Sequence, residues 1–184
     1  MRLHRRTLLA AAGGTLAVAA SLRKPLAAEN LPPLSKALKP LTPPEPVPDV
    51  PFLSADGAEH RLADFRGRGM VVNLWATWCA PCVAEMPSLE ALSKALAPED
   101  IAVLPLSSDR GGAGAVQAWY DRNNVTGLPV LLDPKGALAR AVAARGIPTT
   151  LIINKAGEVV AKLEGAADWG APESQALVRK LAAG

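Results

Sequence analysis

Val71-Val72-Asn73-Leu74-Trp75-Ala76 is a short β-rich run that ends three residues before the first of the chain's only two cysteines, and a helical pattern starts at the second. A run of this kind suits a central strand buried on both faces. Downstream, Cys82, Met86, Leu89, Leu92 and Leu96 recur on one helix face, which predicts a helix from about Pro81 to Ala97. Pro81 then falls in the first turn, where its missing N–H removes no hydrogen bond. A strand passing straight into a helix through Trp78-Cys79-Ala80-Pro81-Cys82 puts Cys79 at the helix N-terminus and Cys82 on the same side, three residues on.

That placement is chemically pointed. Unpaired N–H groups and the positive end of the helix dipole stabilise a thiolate at Cys79, making it the reactive sulfur, and Cys82 is close enough to close a disulfide with it. A purely structural disulfide is disfavoured, because so small a loop gains little from closure. Zinc fits poorly: it needs four ligands, and outside the first 28 residues His60, in an expected hairpin, is the only histidine. The alternative of a different class is a copper(I) metallochaperone using the same two thiols, since soft sulfur suits copper(I).

Residues 1–28 join a basic start (Arg2, Arg5, Arg6) to an apolar stretch from Leu8 to Leu22 and read as an export leader rather than part of a fold. Arg5-Arg6-Thr7-Leu8-Leu9 resembles the twin-arginine type, with Leu26-Ala27-Ala28 as an imperfect cleavage site; an uncleaved membrane anchor is the alternative. The leader also explains the charge. It holds five of the 20 basic residues and none of the 17 acidic ones, so the rest is slightly acidic, and nothing supports nucleic-acid binding.

Eight prolines between Leu31 and Pro51 argue against helix and sheet, so residues 29–51 read as a stiff spacer. One domain of about 130 residues then remains, over 52–184, long enough to build its own core. A hairpin about Asp56-Gly57 is expected first, then strands at 71–76 and 101–106, a helix at 113–123, a strand at 128–132 and a helix at 136–144. An antiparallel pair at 149–153 and 159–163 and a terminal helix at 173–182 complete the order. Strands alternating with helices and ending in a hairpin imply a mixed sheet covered on both faces.

Trp-Cys-x-Pro-Cys after a buried strand, with Gly146-Ile147-Pro148-Thr149 before a later one, resembles the thioredoxin fold. The longer string from Val72 to Cys82, continued by Glu85-Met86-Pro87, is similar to the TlpA/ResA/DsbE-like branch, bacterial thiol-disulfide oxidoreductases that work outside the cytoplasm. The resemblance implies an α/β fold with a mixed central sheet flanked by helices, an N-terminal hairpin and a strand-helix insertion at roughly 124–144. It further implies that Ile147–Pro148 is cis and packs against the sulfurs, with the backbone at Ile147 pairing with a client peptide; an ordinary turn proline is the alternative. Trp78, a large side chain just before the nucleophile, is expected to flank the groove, with a core position as the alternative. Pro87 matches the branch's kinked helix.

Glu85 lies three residues past Cys82 on the same side of the helix. In that branch a glutamate here shapes the proton chemistry of the cysteines; a solvated surface residue is the alternative. Neutral Asn73 stands where plain thioredoxin has a buried aspartate. The expectation is a monomeric periplasmic reductase without cofactor. Its clients would be disulfides of apocytochrome c or of copper-site proteins of respiratory oxidases, and a membrane-embedded thiol transporter would be the electron donor. An oxidising, disulfide-forming enzyme would differ only in potential.

Overall fold

The computed structural model describes residues 31–184, so the expected leader lies outside the described residues. Among the described residues an eight-stranded mixed sheet runs from edge to edge through β1 (Lys39–Pro46), β8 (Glu158–Glu164), β7 (Thr149–Ile153), β4 (Gly69–Trp75), β5 (Ile101–Ser107), β6 (Leu131–Leu132), β2 (Phe52–Ser54) and β3 (Glu59–His60). Its middle strand is β4 (Gly69–Trp75), every residue of which is buried. β5 (Ile101–Ser107) lies parallel to β4 on one side, and β7 (Thr149–Ile153) antiparallel to it on the other. β8 (Glu158–Glu164) returns antiparallel to β7.

Alternation along β4 divides the core in two. Val71 and Trp75 enter one cluster with Cys79, Cys82 and Leu89 of α2 (Ala80–Leu96) and Val178 of α5 (Pro172–Ala182). Met70, Val72 and Leu74 enter the other, beneath Leu138 of α4 (Ala137–Ala141) and Phe52 of β2 (Phe52–Ser54). The sheet is thus covered on both faces. Gly69 makes one closure possible, since a Cβ there would sit 2.7 Å from the Ala182 side chain at the end of α5.

The expected hairpin forms from β2 and β3 (Glu59–His60), with Gly57 in the turn at φ 86°, a conformation that favours glycine. β2 joins the main sheet by pairing with β6 (Leu131–Leu132), so the inserted segment links the hairpin to β5. β6 is shorter than the 128–132 strand expected from sequence. Pro129 has no N–H for a ladder, and its carbonyl instead accepts from Tyr120 Oη of α3 (Gly112–Asn123) at 3.3 Å. The helix expected over 136–144 is likewise trimmed to α4.

The proline-rich spacer expected over 29–51 is corrected by the structure. Residues 34–37 form a helical turn, α1 (Leu34–Ala37), with Leu34 fully buried, and β1 (Lys39–Pro46) pairs antiparallel with β8. Proline is tolerated because β1 is an edge strand: an N–H that would face solvent is not missed. The register slips between Pro40 and Glu45, where Pro43 and Pro44 bulge out of the ladder. Among the described residues, therefore, the segment ahead of 52 is part of the fold: α1 and β1 both pack on it.

Candidate active site

At the C-terminal end of β4 the chain turns through Ala76-Thr77-Trp78 into α2. Cys79 is the N-cap residue, and the Cys82 N–H points at its sulfur at 3.3 Å. The two sulfurs are bonded to each other, so the structure is that of the oxidised form. Cys79 is 6% exposed and Cys82 fully buried, so of the two cysteines only Cys79 touches solvent. The Ile147 carbonyl oxygen lies 3.7 Å from Cys79 Sγ, and the Ile147–Pro148 bond is cis. Trp78 is 70% exposed, the one large apolar side chain standing free among the described residues. The Ile147 carbonyl is thus brought to the Cys79–Cys82 disulfide, with Pro148 next to it across the cis bond and Trp78 next to Cys79 in the chain.

Glu85 lies beneath this surface, and the solvated-surface alternative is excluded: the residue is fully buried. Its Oε1 accepts from Asn73 Nδ2 at 2.9 Å, and its Oε2 from Trp169 Nε1 at 2.9 Å and the Ala167 N–H at 3.1 Å. Burial disfavours the charged form and pushes the carboxyl up to about 7, against the opposing pull of the Trp169, Asn73 and Ala167 donors. The group is therefore poised to change charge near neutrality, one helical turn beyond Cys82. Pro87 lies inside α2, where the Ser88 hydroxyl donates to the Glu85 carbonyl at 2.8 Å.

The loop ahead of the cysteines is held by a residue the sequence reading passed over. Asp109 is buried, and its carboxylate accepts from the Thr77 N–H at 2.9 Å, the Thr77 hydroxyl at 2.7 Å and the Ser107 hydroxyl at 2.6 Å. The end of β5 thereby ties the turn that carries Trp78 and Cys79. A polar Ser-Ser-Asp closing an apolar strand was the available signal. Trp169 gave none, because its partner Glu85 is 84 residues away. Trp75, stacked on Tyr120 with ring planes 7° apart, lies in the same buried cluster as both cysteines.

Comparison with known proteins agrees with this geometry. The AhpC/TSA family model matches residues 43–162, which takes in the second half of β1 as well as both cysteines. Thiol-disulfide oxidoreductase ResA of Geobacillus kaustophilus is 33% identical over 112 residues, 61% of this chain and 63% of that relative's length. The thioredoxin-like protein YneN of Bacillus subtilis is 34% identical over 114 residues, 61% of this chain and 65% of its own. A crystal structure of a putative thiol-disulfide oxidoreductase from Bacteroides vulgatus, 31% identical, superimposes with a TM-score of 0.63, covering 74% of this chain and 94% of that one. A DsbE-type interchange protein from Chlorobium tepidum, at 22% identity and a TM-score of 0.63, shares the fold. With its mixed sheet, its helices on both faces and its cysteine pair at a helix start, the chain belongs to the AhpC/TSA family and adopts the thioredoxin fold.

Proposed function

We propose that this protein is an extracytoplasmic thiol-disulfide oxidoreductase that reduces disulfides of client proteins. The observation that carries the reading is the bonded pair itself: a cysteine at a helix N-terminus with some contact with solvent, bridged to a fully buried one, with the Ile147 carbonyl 3.7 Å from its sulfur and the exposed Trp78 next to it in the chain. The similarity to ResA supports the reaction class.

In the reduced enzyme Cys79 Sγ, as thiolate, attacks one sulfur of the client disulfide. The client S–S bond breaks, and the departing client sulfur takes a proton. Cys82 then loses its proton and attacks Cys79 Sγ; the mixed disulfide breaks, and the client leaves with both electrons as a dithiol. The enzyme is left as the Cys79–Cys82 disulfide, the state described above. A further turnover needs an external dithiol, for which a membrane-embedded thiol transporter is the proposed donor. Apocytochrome c or copper-site proteins of respiratory oxidases are the proposed clients.

Direction follows from opposing electrostatics. The N-terminus of α2 favours the Cys79 thiolate, whereas a Glu85 carboxylate buried one turn past Cys82 disfavours a second negative charge nearby. Thiolate stabilisation belongs only to the reduced form, so weak stabilisation makes a reductant. We expect a reduction potential below about −200 mV, nearer thioredoxin's than that of the strong oxidant DsbA. Titration against glutathione buffers measures it, and a value close to about −120 mV would reverse the assigned direction.

A further inference from the structure

We infer that residues 32–38 form a latch on the redox site: they hold the 165–171 loop where it donates to Glu85 and Pro148, which makes Leu34 a positioning residue of the reaction. The inference rests on the reading of Glu85 as a group acting on the cysteine pair.

Within the loop, residues 167–169 run as a short extended stretch with two bonded edges. On the inner edge, the Ala167 N–H donates to Glu85 Oε2 at 3.1 Å and the Trp169 N–H to Ser88 Oγ at 3.3 Å, both on α2. On the outer edge, the Asp168 N–H donates to the Pro32 carbonyl at 3.2 Å, and Pro33 bridges Asp168 in parallel. The alternation is that of a strand, whose successive N–H groups point to opposite sides. α2 and the N-terminal segment therefore hold this stretch between them.

The same loop reaches the client side of the site, where the Gly165 N–H donates to the Pro148 carbonyl at 2.9 Å. Leu34 anchors the latch. It is fully buried in the cluster that contains Trp169 and Val178, and α1 packs on α5 just beyond the loop. Full burial takes the whole leucine side chain out of water, which keeps so short a segment docked.

Among the described residues no charged side chain bonds the Glu85 carboxylate. Its partners are Asn73 from β4 and Trp169 and Ala167 from the loop, while Asp168 turns its own carboxylate to the Gly170 N–H at 2.9 Å. The loop is thus the cover that keeps water from Glu85. Undocking the latch frees the outer edge of that cover, and hydration removes the larger of the two opposing influences on the carboxyl, its burial.

The test titrates the Glu85 carboxyl in the full chain by carbon-13 NMR, with Glu85→Gln to assign the signal. Leu34→Ala is expected to lower its midpoint from about 7 toward the ordinary 4.5, by about one unit or more. The Ala167 and Trp169 amides should lose about tenfold in hydrogen-exchange protection relative to the sheet. Leu138→Ala, a truncation in the opposite core, should cost stability without moving Glu85. Leu34→Met should restore the parent titration. Leu34→Val, a milder truncation, should shift the midpoint the same way and keeps the comparison available if Leu34→Ala does not fold. A Leu34 variant that loses stability while Glu85 titrates as in the parent overturns the inference. The redox role of Glu85 is read separately, from the effect of Glu85→Gln on thiol reactivity, so the two ideas fail independently.

Discussion

Asn73 donates its amide to Glu85 at 2.9 Å and to Thr150 at 2.8 Å, so one buried side chain joins the middle strand, the redox helix and the strand that follows Pro148. Among the described residues its own Oδ1 has no partner. Such an orphan costs free energy, and both amide N–H groups are spent on oxygens, an arrangement suited to an ionised Glu85. A protonated Glu85 would instead need an acceptor, which Asn73 offers if its amide turns over. The pair can therefore satisfy either charge state of the carboxyl.

Stability should report that charge state. The folded carboxyl is raised to about 7 from an ordinary 4.5, so between these values the native state holds a proton that the unfolded chain releases. The contribution is complete below about pH 4.5 and is lost as pH rises through 7, on the order of 3 kcal/mol in all. Urea unfolding across this window should show the parent losing about that much relative to Glu85→Gln, whose side chain stays neutral. Parallel pH profiles for the two proteins would mean that Glu85 titrates normally.

The two cysteines should behave differently. Cys79→Ser is expected to abolish exchange, whereas Cys82→Ser should still attack and then stall as a mixed disulfide, because only the resolving thiol is gone. In the reduced parent, iodoacetamide at neutral pH should modify Cys79 first, given the complete burial of Cys82. Modification of Cys82 alone would invert the assigned roles.

Glu85→Gln should also raise thiol reactivity. Removing a carboxylate near the pair lowers the Cys79 pKa and makes the potential less negative, by roughly 30 mV for each 1.4 kcal/mol of thiolate stabilisation gained. The parent's alkylation rate against pH, compared with the variant's, tests this; coincident curves would remove Glu85 from the redox chemistry.

Asp109→Ala should loosen the turn that presents Cys79. The Thr77 N–H, held at 2.9 Å, would lose its acceptor at a cost of about 1–3 kcal/mol, read by chemical unfolding. Turnover should fall as well, because the reactive sulfur is then less well placed. An enzyme with unchanged kinetics after Asp109→Ala would show that the tether matters only for folding.

Trp78→Ala should act on clients rather than on the fold. An indole that is 70% exposed contributes little packing, so stability should move by no more than about 0.5 kcal/mol. KM for a protein disulfide should rise while turnover of a small disulfide stays the same, as expected of a contact made only with a large partner. Equal effects on both substrates would place Trp78 in support of the cysteine loop instead.

Much of this architecture could be read from local pattern. Five apolar or β-branched positions around Asn73, followed by a cysteine pair and a helical repeat, define β4 and α2, and the resemblance carried by Gly146-Ile147-Pro148-Thr149 supplied the partner of the sulfurs. The hairpin at Asp56-Gly57 and the strand pair β7 and β8 were likewise visible, because turn residues and alternating burial lie within a few positions of each other.

What local pattern could not decide was which side of a boundary a residue falls on once distant segments meet. Eight prolines argued for a spacer, yet an edge strand needs only one row of N–H groups, so β1 forms against β8 and Leu34 is drawn into the core. The state of Glu85 was equally beyond reach. A glutamate on a helix is usually solvated, and only the loop 80 residues further on, carrying Ala167 and Trp169 and held in turn by Pro32, covers it and raises its pKa. Asp109 likewise has meaning only across the gap to Thr77. Periodicity and turn chemistry are properties of neighbouring residues and belong to the sequence, whereas burial and hydrogen-bond partnership arise between segments, and so the fold alone settles them.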